Sequence, residues 1–237
     1  MEIGHHISQR YNQELEEIRT HVLKMGALVE SQAENAVKAL LERDGKLAKK
    51  VASSDYMVNR MEVEIDEECT QVLARRQPAA SDLRLIIAVI KVITDLERIG
   101  DEAEKIGRYS RKLAKKPPIT GMHATLSHLG ELVLGMLHQA LDAFARMDTE
   151  QALSVITSSN NINDEFDDLS RLLITYMMED PHNIKQALRV IWCARALERI
   201  GDHSRNICEY VIFLVRGKDI RHTDLQEILD EIPDDAD

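Results

Sequence analysis

The chain has 237 residues, enough for one large domain or two modest ones. Apolar residues make up 44% but aromatics only 4%, so any core must be aliphatic, and the scarcity of Gly (10) and Pro (5) among abundant helix formers argues against a sheet. A formal net charge of −11 excludes a non-specific grip on nucleic acid or on an anionic membrane, and Lys49-Lys50 and Lys115-Lys116 are too short to read as basic patches.

The first predicted helix begins near Ser8 and runs to about Glu42, with Gly26 inside it. Arg43-Asp44-Gly45 is a turn in which Asp44 is placed to cap the next helix. That second helix carries Val51, Val58, Met61, Ile65, Cys69 and Val72 on one stripe and stops at Gln77-Pro78. Ser81 or Asp82 caps a third helix that reaches about Lys116, and Pro117-Pro118 with Gly121 forms the clearest linker. The second half repeats the pattern. A helix from Leu132 to Met147 ends at Asp148, which stands where Asp44 stood 104 residues earlier, and Val155 and Ile162 answer Val51 and Val58. Asp180-Pro181 opens the last helix, with Asp as cap and Pro at the first helical position. The expected fold is all-α: two repeated antiparallel three-helix bundles, six long helices in all, spanning residues 1–117 and 118–219, with a frayed acidic tail at 220–237.

The first twenty residues are too polar for a signal peptide, and no apolar run approaches the roughly 18 residues of a membrane span. Cys69, Cys193 and Cys208 show no metal or redox spacing and read as small buried hydrophobes. A soluble cytoplasmic protein is expected.

Glu97-Arg98-Ile99-Gly100-Asp101 returns as Glu198-Arg199-Ile200-Gly201-Asp202, within a register of 101 residues that holds from Leu96/Leu197 to Tyr109/Tyr210. Carboxylates four apart lie one turn apart on one helix face. With Ile86 as reference, Ile90, Ile93, Glu97 and Glu104 fall within about 40° of it and Asp101 within about 60°, whereas Arg98 and Glu102 point to the polar side. Glu62 and Asp66 repeat the spacing on the second helix. If the two helices pack, Glu62, Asp66, Glu97 and Asp101 converge, and such an oxygen-rich site suits hard cations, iron or manganese. The Gly between each pair suggests the close approach of another helix or of an ion. The structural alternative is an ion-pair network in which Arg98 and Arg199 serve acids such as Asp95 and Glu102.

The repeated Leu-Glu-Arg-Ile-Gly-Asp, the segment Met61 to Asp66, the run Gln77 to Arg84, and the stretches Ala143 to Asp148 and Thr175 to Asp180 together resemble the PhoU family of bacterial phosphate-transport regulators. The resemblance spans nearly the whole chain. It implies two repeat-related three-helix bundles, a homodimer, and no enzymatic activity. It also implies repression of the phosphate-starvation response, exerted between the ATPase subunit of a phosphate ABC transporter and a phosphate-sensing histidine kinase. Membrane association would be only indirect, through those partners. Carried over by residue, the family's metal motifs fall on Glu97, Asp101, Glu198 and Asp202, with Glu62 and Asp66 completing the first site. Iron, zinc, manganese or magnesium are the implied ions. In the second half Glu62 and Asp66 meet Phe166 and Ser170, leaving Asp164 and Asp167 as the nearby acids and a poorer site.

His203 beside Asp202 could join a metal site but reads rather as a surface or interface residue, and Tyr176, Met177 and Met178 read as core packing. The histidines His5 and His6 sit at a fraying end. Neither Glu2-x-x-His5 nor Glu179-x-x-His182 can project into a bundle core, so the rival reading, a carboxylate-bridged metalloenzyme, lacks its usual ligands.

Overall fold

A computed structural model describes residues 3–54, 56–78, 80–221 and 223, with side chains from residue 10 onward. Among the described residues the regular structure is entirely helical: α1 (Ile3–Leu41), α2 (Gly45–Val51), α3 (Tyr56–Arg76), α4 (Ala80–Leu113), α5 (Met122–Arg146), α6 (Thr149–Ser158), α7 (Asn160–Glu179), a 3-10 turn (Pro181–Asn183) and α8 (Ile184–Arg216). None of these helices is long and apolar enough to cross a membrane.

The internal repeat reaches down to backbone angles. Arg43 and Met147 both adopt φ 57°, and both are followed by an extended aspartate, Asp44 or Asp148. Each aspartate then caps the next helix. Asp44 accepts from the amides of Lys46 and Leu47, and Asp148 from that of Gln151. Asp180 likewise accepts from His182 N at 2.9 Å and opens the 3-10 turn at Pro181. Gly217, at φ 72°, ends α8.

The expected second helix is two helices. Ser53 Oγ bonds the carbonyls of Lys49 and Lys50, and Ser54 Oγ bonds that of Val51. Serine hydroxyls that take the last carbonyls of a turn compete with helix propagation, so the chain bends while its apolar stripe carries on. The second half breaks at the matching place, between α6 and α7. Ser81 and Asp82 are not caps but first-turn residues of α4, which starts at Ala80. The fifth helix starts at Met122, ten residues ahead of Leu132, because Leu126 and Leu129 are already core.

Two antiparallel helix pairs join the halves. In the first, α1 runs against α5: Val37 meets Gly130, Glu30 meets His138 at 2.7 Å, Gly26 meets Leu141, and Arg19 donates to the Ala145 carbonyl. In the second, α4 runs against α8: Lys91 lies over the Tyr210 ring, Asp95 faces His203, Glu102 faces Arg199, and Tyr109 stacks on Trp192 with centroids 5.0 Å apart. A single aliphatic cluster runs through both halves, from Leu15 to Ile220. Both α4 and α8 are covered on most sides, as expected of the central helices of a bundle.

Two smaller expectations are corrected. Ile220, assigned to the tail, is 2% exposed and belongs to the core, while the rest of the tail beyond residue 223 lies outside the described residues. Met178 is exposed, because α7 turns that face outward at its last turn, whereas Tyr176 and Met177 pack on the core. All three cysteines are buried, as expected. The side chains of Glu2, His5, His6 and Ser8 lie outside the described residues.

Candidate functional site: two carboxylate faces and the seam between them

On the first face, α3 and α4 bring the acids of two helices into electrostatic reach. Glu62, Glu97 and Asp101 are half-buried and Asp66 is exposed. Burial first, and then the Asp66 carboxylate, hold the Glu62 carboxyl above its usual range; Arg98 opposes this, and Asp101 adds to it. Asp66 and Asp101 thus both act against the charged form of Glu62, which is the condition a bound cation relieves. The donor set, carboxylate oxygens at the edge of an aliphatic core, fits a hard or borderline divalent ion. Among the described residues no three His, Cys, Asp or Glu side chains are already closed into a metal-holding group.

The second face is built differently. Glu198 is buried, and burial lifts its carboxyl; Arg195 opposes that lift, while Asp202 and Asp167 add to it. Arg195 Nη1 donates to both Glu198 oxygens, at 2.6 and 2.5 Å. The same guanidinium sits over the Phe166 ring, 5.5 Å from its centroid. These two residues are a coupled exchange. Phe166 stands where the first half has Glu62, and Arg195 where it has Thr94, whose hydroxyl only bonds back to the Ile90 carbonyl. One acid is gone and a cation has arrived, stacked on the aromatic ring that replaced it. Asp167, Asp164 and Asp202 are exposed at the rim.

The glycine between the second pair makes room for a helix. A Cβ on Gly201 would come within 2.8 Å of Ile162 Cδ1, so with Gly here Ile162 of α7 packs directly on the α8 backbone without shifting its side chain.

Between the faces runs the α4–α8 seam. Asp95, 2% exposed, accepts from His203 Nδ1 at 2.6 Å and from Asn206 Nδ2 at 3.2 Å, and Arg98 lies 4.0 Å away. Glu102, expected on the polar side of its helix, is 3% exposed and pairs with Lys105 at 2.9 Å and Arg199 at 3.2 Å. The ion-pair network considered from sequence is therefore present, and it crosses between the halves. A one-helix projection could not show this, because α8 covers the side of α4 that looks solvated in isolation. His203 is an interface residue, and Asn206 and Arg195 were missed. The signal available for Arg195 was its pairing with Phe166 at repeat positions where the first half has Thr94 and Glu62.

The arrangement defines an all-α, internally duplicated protein with acidic faces on its two central helices. The chain belongs to the PhoU family: the PhoU domain model matches two segments, residues 22–110 and 126–211, one in each half. Among its relatives, a "Phosphate-specific transport system accessory protein PhoU homolog" of Pseudomonas putida is 53% identical over 97% of this chain and 90% of that protein. The "Phosphate-specific transport system accessory protein PhoU" of Escherichia coli is 44% identical over 96% of this chain and 94% of its own length. The crystal structure of PhoU from Pseudomonas aeruginosa, 51% identical, superposes with a TM-score of 0.85, covering 88% of this chain and all of that one. The phosphate transport system regulatory protein PhoU of Streptococcus pneumoniae, 29% identical, superposes at 0.80, covering 88% of this chain and 98% of that one.

Proposed function

We propose that this chain is a non-enzymatic accessory regulator of phosphate transport. It represses the phosphate-starvation response when phosphate is plentiful, acting as a cytoplasmic homodimer that docks the ATPase subunit of a phosphate ABC transporter and a phosphate-sensing histidine kinase. The observation that carries this reading is full-length similarity to proteins named as accessory to phosphate-specific transport, at 44% to 53% identity. The seam supports it physically. Its buried acids are each answered by a neighbouring base or amide, which suits a rigid adaptor.

Within that role, the first face holds a divalent cation (iron, zinc, manganese or magnesium) through Glu62, Asp66, Glu97 and Asp101. What supports this is the placing of these acids on two packed helices, where burial first, and then Asp66 and Asp101, hold the Glu62 carboxyl above its usual range. Asp167, Glu198 and Asp202 form the weaker face, since a cation there must displace Arg195 from Glu198. When bound, the ion neutralises the acids and ties α3 to α4; its part is structural and regulatory.

The test of the regulatory role is co-purification from phosphate-replete cells. The chain is expected to retain both the transporter ATPase and the kinase, and deleting it is expected to leave starvation genes active in high phosphate. Retention of neither partner, with repression intact in the deletion strain, would overturn the reading.

A further inference from the structure

The end of α4 and the start of α2 gather cations that nothing above uses. Two sequence-distant stretches, 43–52 and 108–115, meet there around two adjoining clefts. The larger, about 730 Å³, is lined by Arg43, Lys46, Lys49, Arg111 and Lys115, with Asp44 as its only acid. The smaller, about 390 Å³, is lined by Ala52, Arg108, Arg111, Lys112 and Lys115 and has no acid. Arg111 in the last turn of α4 and Lys115 in the turn just beyond it line both clefts. The short basic pairs dismissed from sequence thus become parts of one patch, because the fold brings α2 and α4 together at Gly107.

Some of these cations are committed. Arg43 donates to the carbonyls of Leu113 and Lys116 at the end of α4, Arg108 pairs with Glu104 at 3.5 Å, and Lys112 lies over the Tyr109 ring. Asp44 spends its carboxylate on the α2 amides. Lys46, Lys49, Arg111 and Lys115 form no ion pair among the described residues. Cations are favoured in the last turn of a helix, but that does not explain the patch. The second half builds the same corner with Glu150, Leu153, Glu209, Ile212 and Phe213 at the positions of Lys46, Lys49, Arg108, Arg111 and Lys112. The fold therefore does not require these five charges, although the position of Lys115 keeps a cation, Arg216, and like charges a turn apart weaken a helix unless something answers them.

We infer that this corner binds a short, multiply charged phosphate anion, the linked phosphates borne by a condensed phosphate or by the triphosphate of a nucleotide. Guanidinium forks and lysine ammonium groups around open clefts match phosphate oxygens. A protein partner is disfavoured, because stable protein interfaces centre on apolar or aromatic anchors and the lining of both clefts offers none. A long nucleic acid would run off the patch into the field of a chain whose net charge is −11. A short polyanion meets only the basic corner.

The test is calorimetric titration of the full chain, at low and at physiological ionic strength, with tripolyphosphate, adenosine triphosphate, inorganic phosphate and an Asp/Glu decapeptide. Arg111→Gln/Lys115→Gln and Lys46→Gln/Lys49→Gln are compared with Lys24→Gln/Lys185→Gln, exposed positions elsewhere, and thermal melts establish that all are folded. Tripolyphosphate is expected to bind once per chain, more weakly as salt rises, and about tenfold more weakly in each corner variant but not in the control. Equal affinity for adenosine triphosphate means that only the phosphates are read; tighter binding means that the base is also touched; both uphold the inference. It is overturned if tripolyphosphate does not bind, if the decapeptide or inorganic phosphate binds as tightly, or if the corner variants bind like the control.

Discussion

His203 Nδ1 lies 2.6 Å from Asp95 Oδ1, a buried contact between helices of opposite halves. Asp95→Ala leaves both His203 and Asn206 without their acceptor, and is expected to cost about 2–4 kcal/mol in urea unfolding. The double variant Asp95→Leu/His203→Leu, which removes both partners of this contact, should recover part of that loss, with only Asn206 still short of its acceptor. A double variant as unstable as Asp95→Ala alone would mean that the pair contributes through packing rather than pairing.

Gly107 and Gly201 both admit a neighbouring helix, but against different atoms. A Cβ on Gly107 would sit 3.0 Å from the Ala48 carbonyl oxygen and from Ala52 N, which are backbone, whereas one on Gly201 meets the flexible end of Ile162. Gly107→Ala is therefore expected to be destabilising by about 1–3 kcal/mol despite the better helix propensity of Ala. Gly201→Ala should cost less, and Ile162→Val should relieve it. Thermal melts of the three variants distinguish the cases.

The Glu62 carboxyl titrates above its ordinary value of 4.5, so the folded chain holds that proton more tightly than the unfolded chain does. The penalty of the charged form is absent below pH 4.5 and grows as pH rises through the folded pKa. In metal-free buffer Glu62→Gln should thus melt higher than wild type at neutral pH and equal to it at about pH 4. Adding manganese should reverse the order at neutral pH by stabilising only the wild type. The same order with and without manganese would remove Glu62 from the cation site.

On the second face, Arg195 offsets the burial of Glu198. Arg195→Ala is expected to destabilise by about 1 kcal/mol at neutral pH, discounted for the exposure of the guanidinium, and by less under acid conditions where Glu198 is protonated. Adding Glu198→Gln to Arg195→Ala should restore stability. An Arg195→Ala variant as stable as wild type at neutral pH would show that solvent neutralises Glu198 without it.

The six helical spans, the caps at Asp44, Asp148 and Asp180, and the duplicated acidic turns were legible because they depend on local spacing and on residues near in sequence. The break at Ser53 and Ser54 was not, because the apolar stripe from Val51 to Val72 runs through it and only the serine hydroxyls mark it. Glu102 looked solvated because its surroundings are supplied by α8, from the other half of the chain. The basic corner was illegible for the same reason: Lys46 and Lys49 are more than fifty residues from Arg111 and Lys115. The sequence shows the four acids of the first face and the loss of two of them in the second, but the cation that answers Glu198 becomes visible only when Arg195 is seen on Glu198 and Phe166.

The distinction between the two faces is tested most directly by elemental analysis of protein purified without an affinity tag. Wild type is compared with Glu97→Ala/Asp101→Ala and with Glu198→Ala/Asp202→Ala, each shown to be folded. Stoichiometric divalent metal is expected in wild type and in the second-face variant, and its loss in the first-face variant. Metal lost only from the second-face variant, or absent from folded wild type, would contradict it.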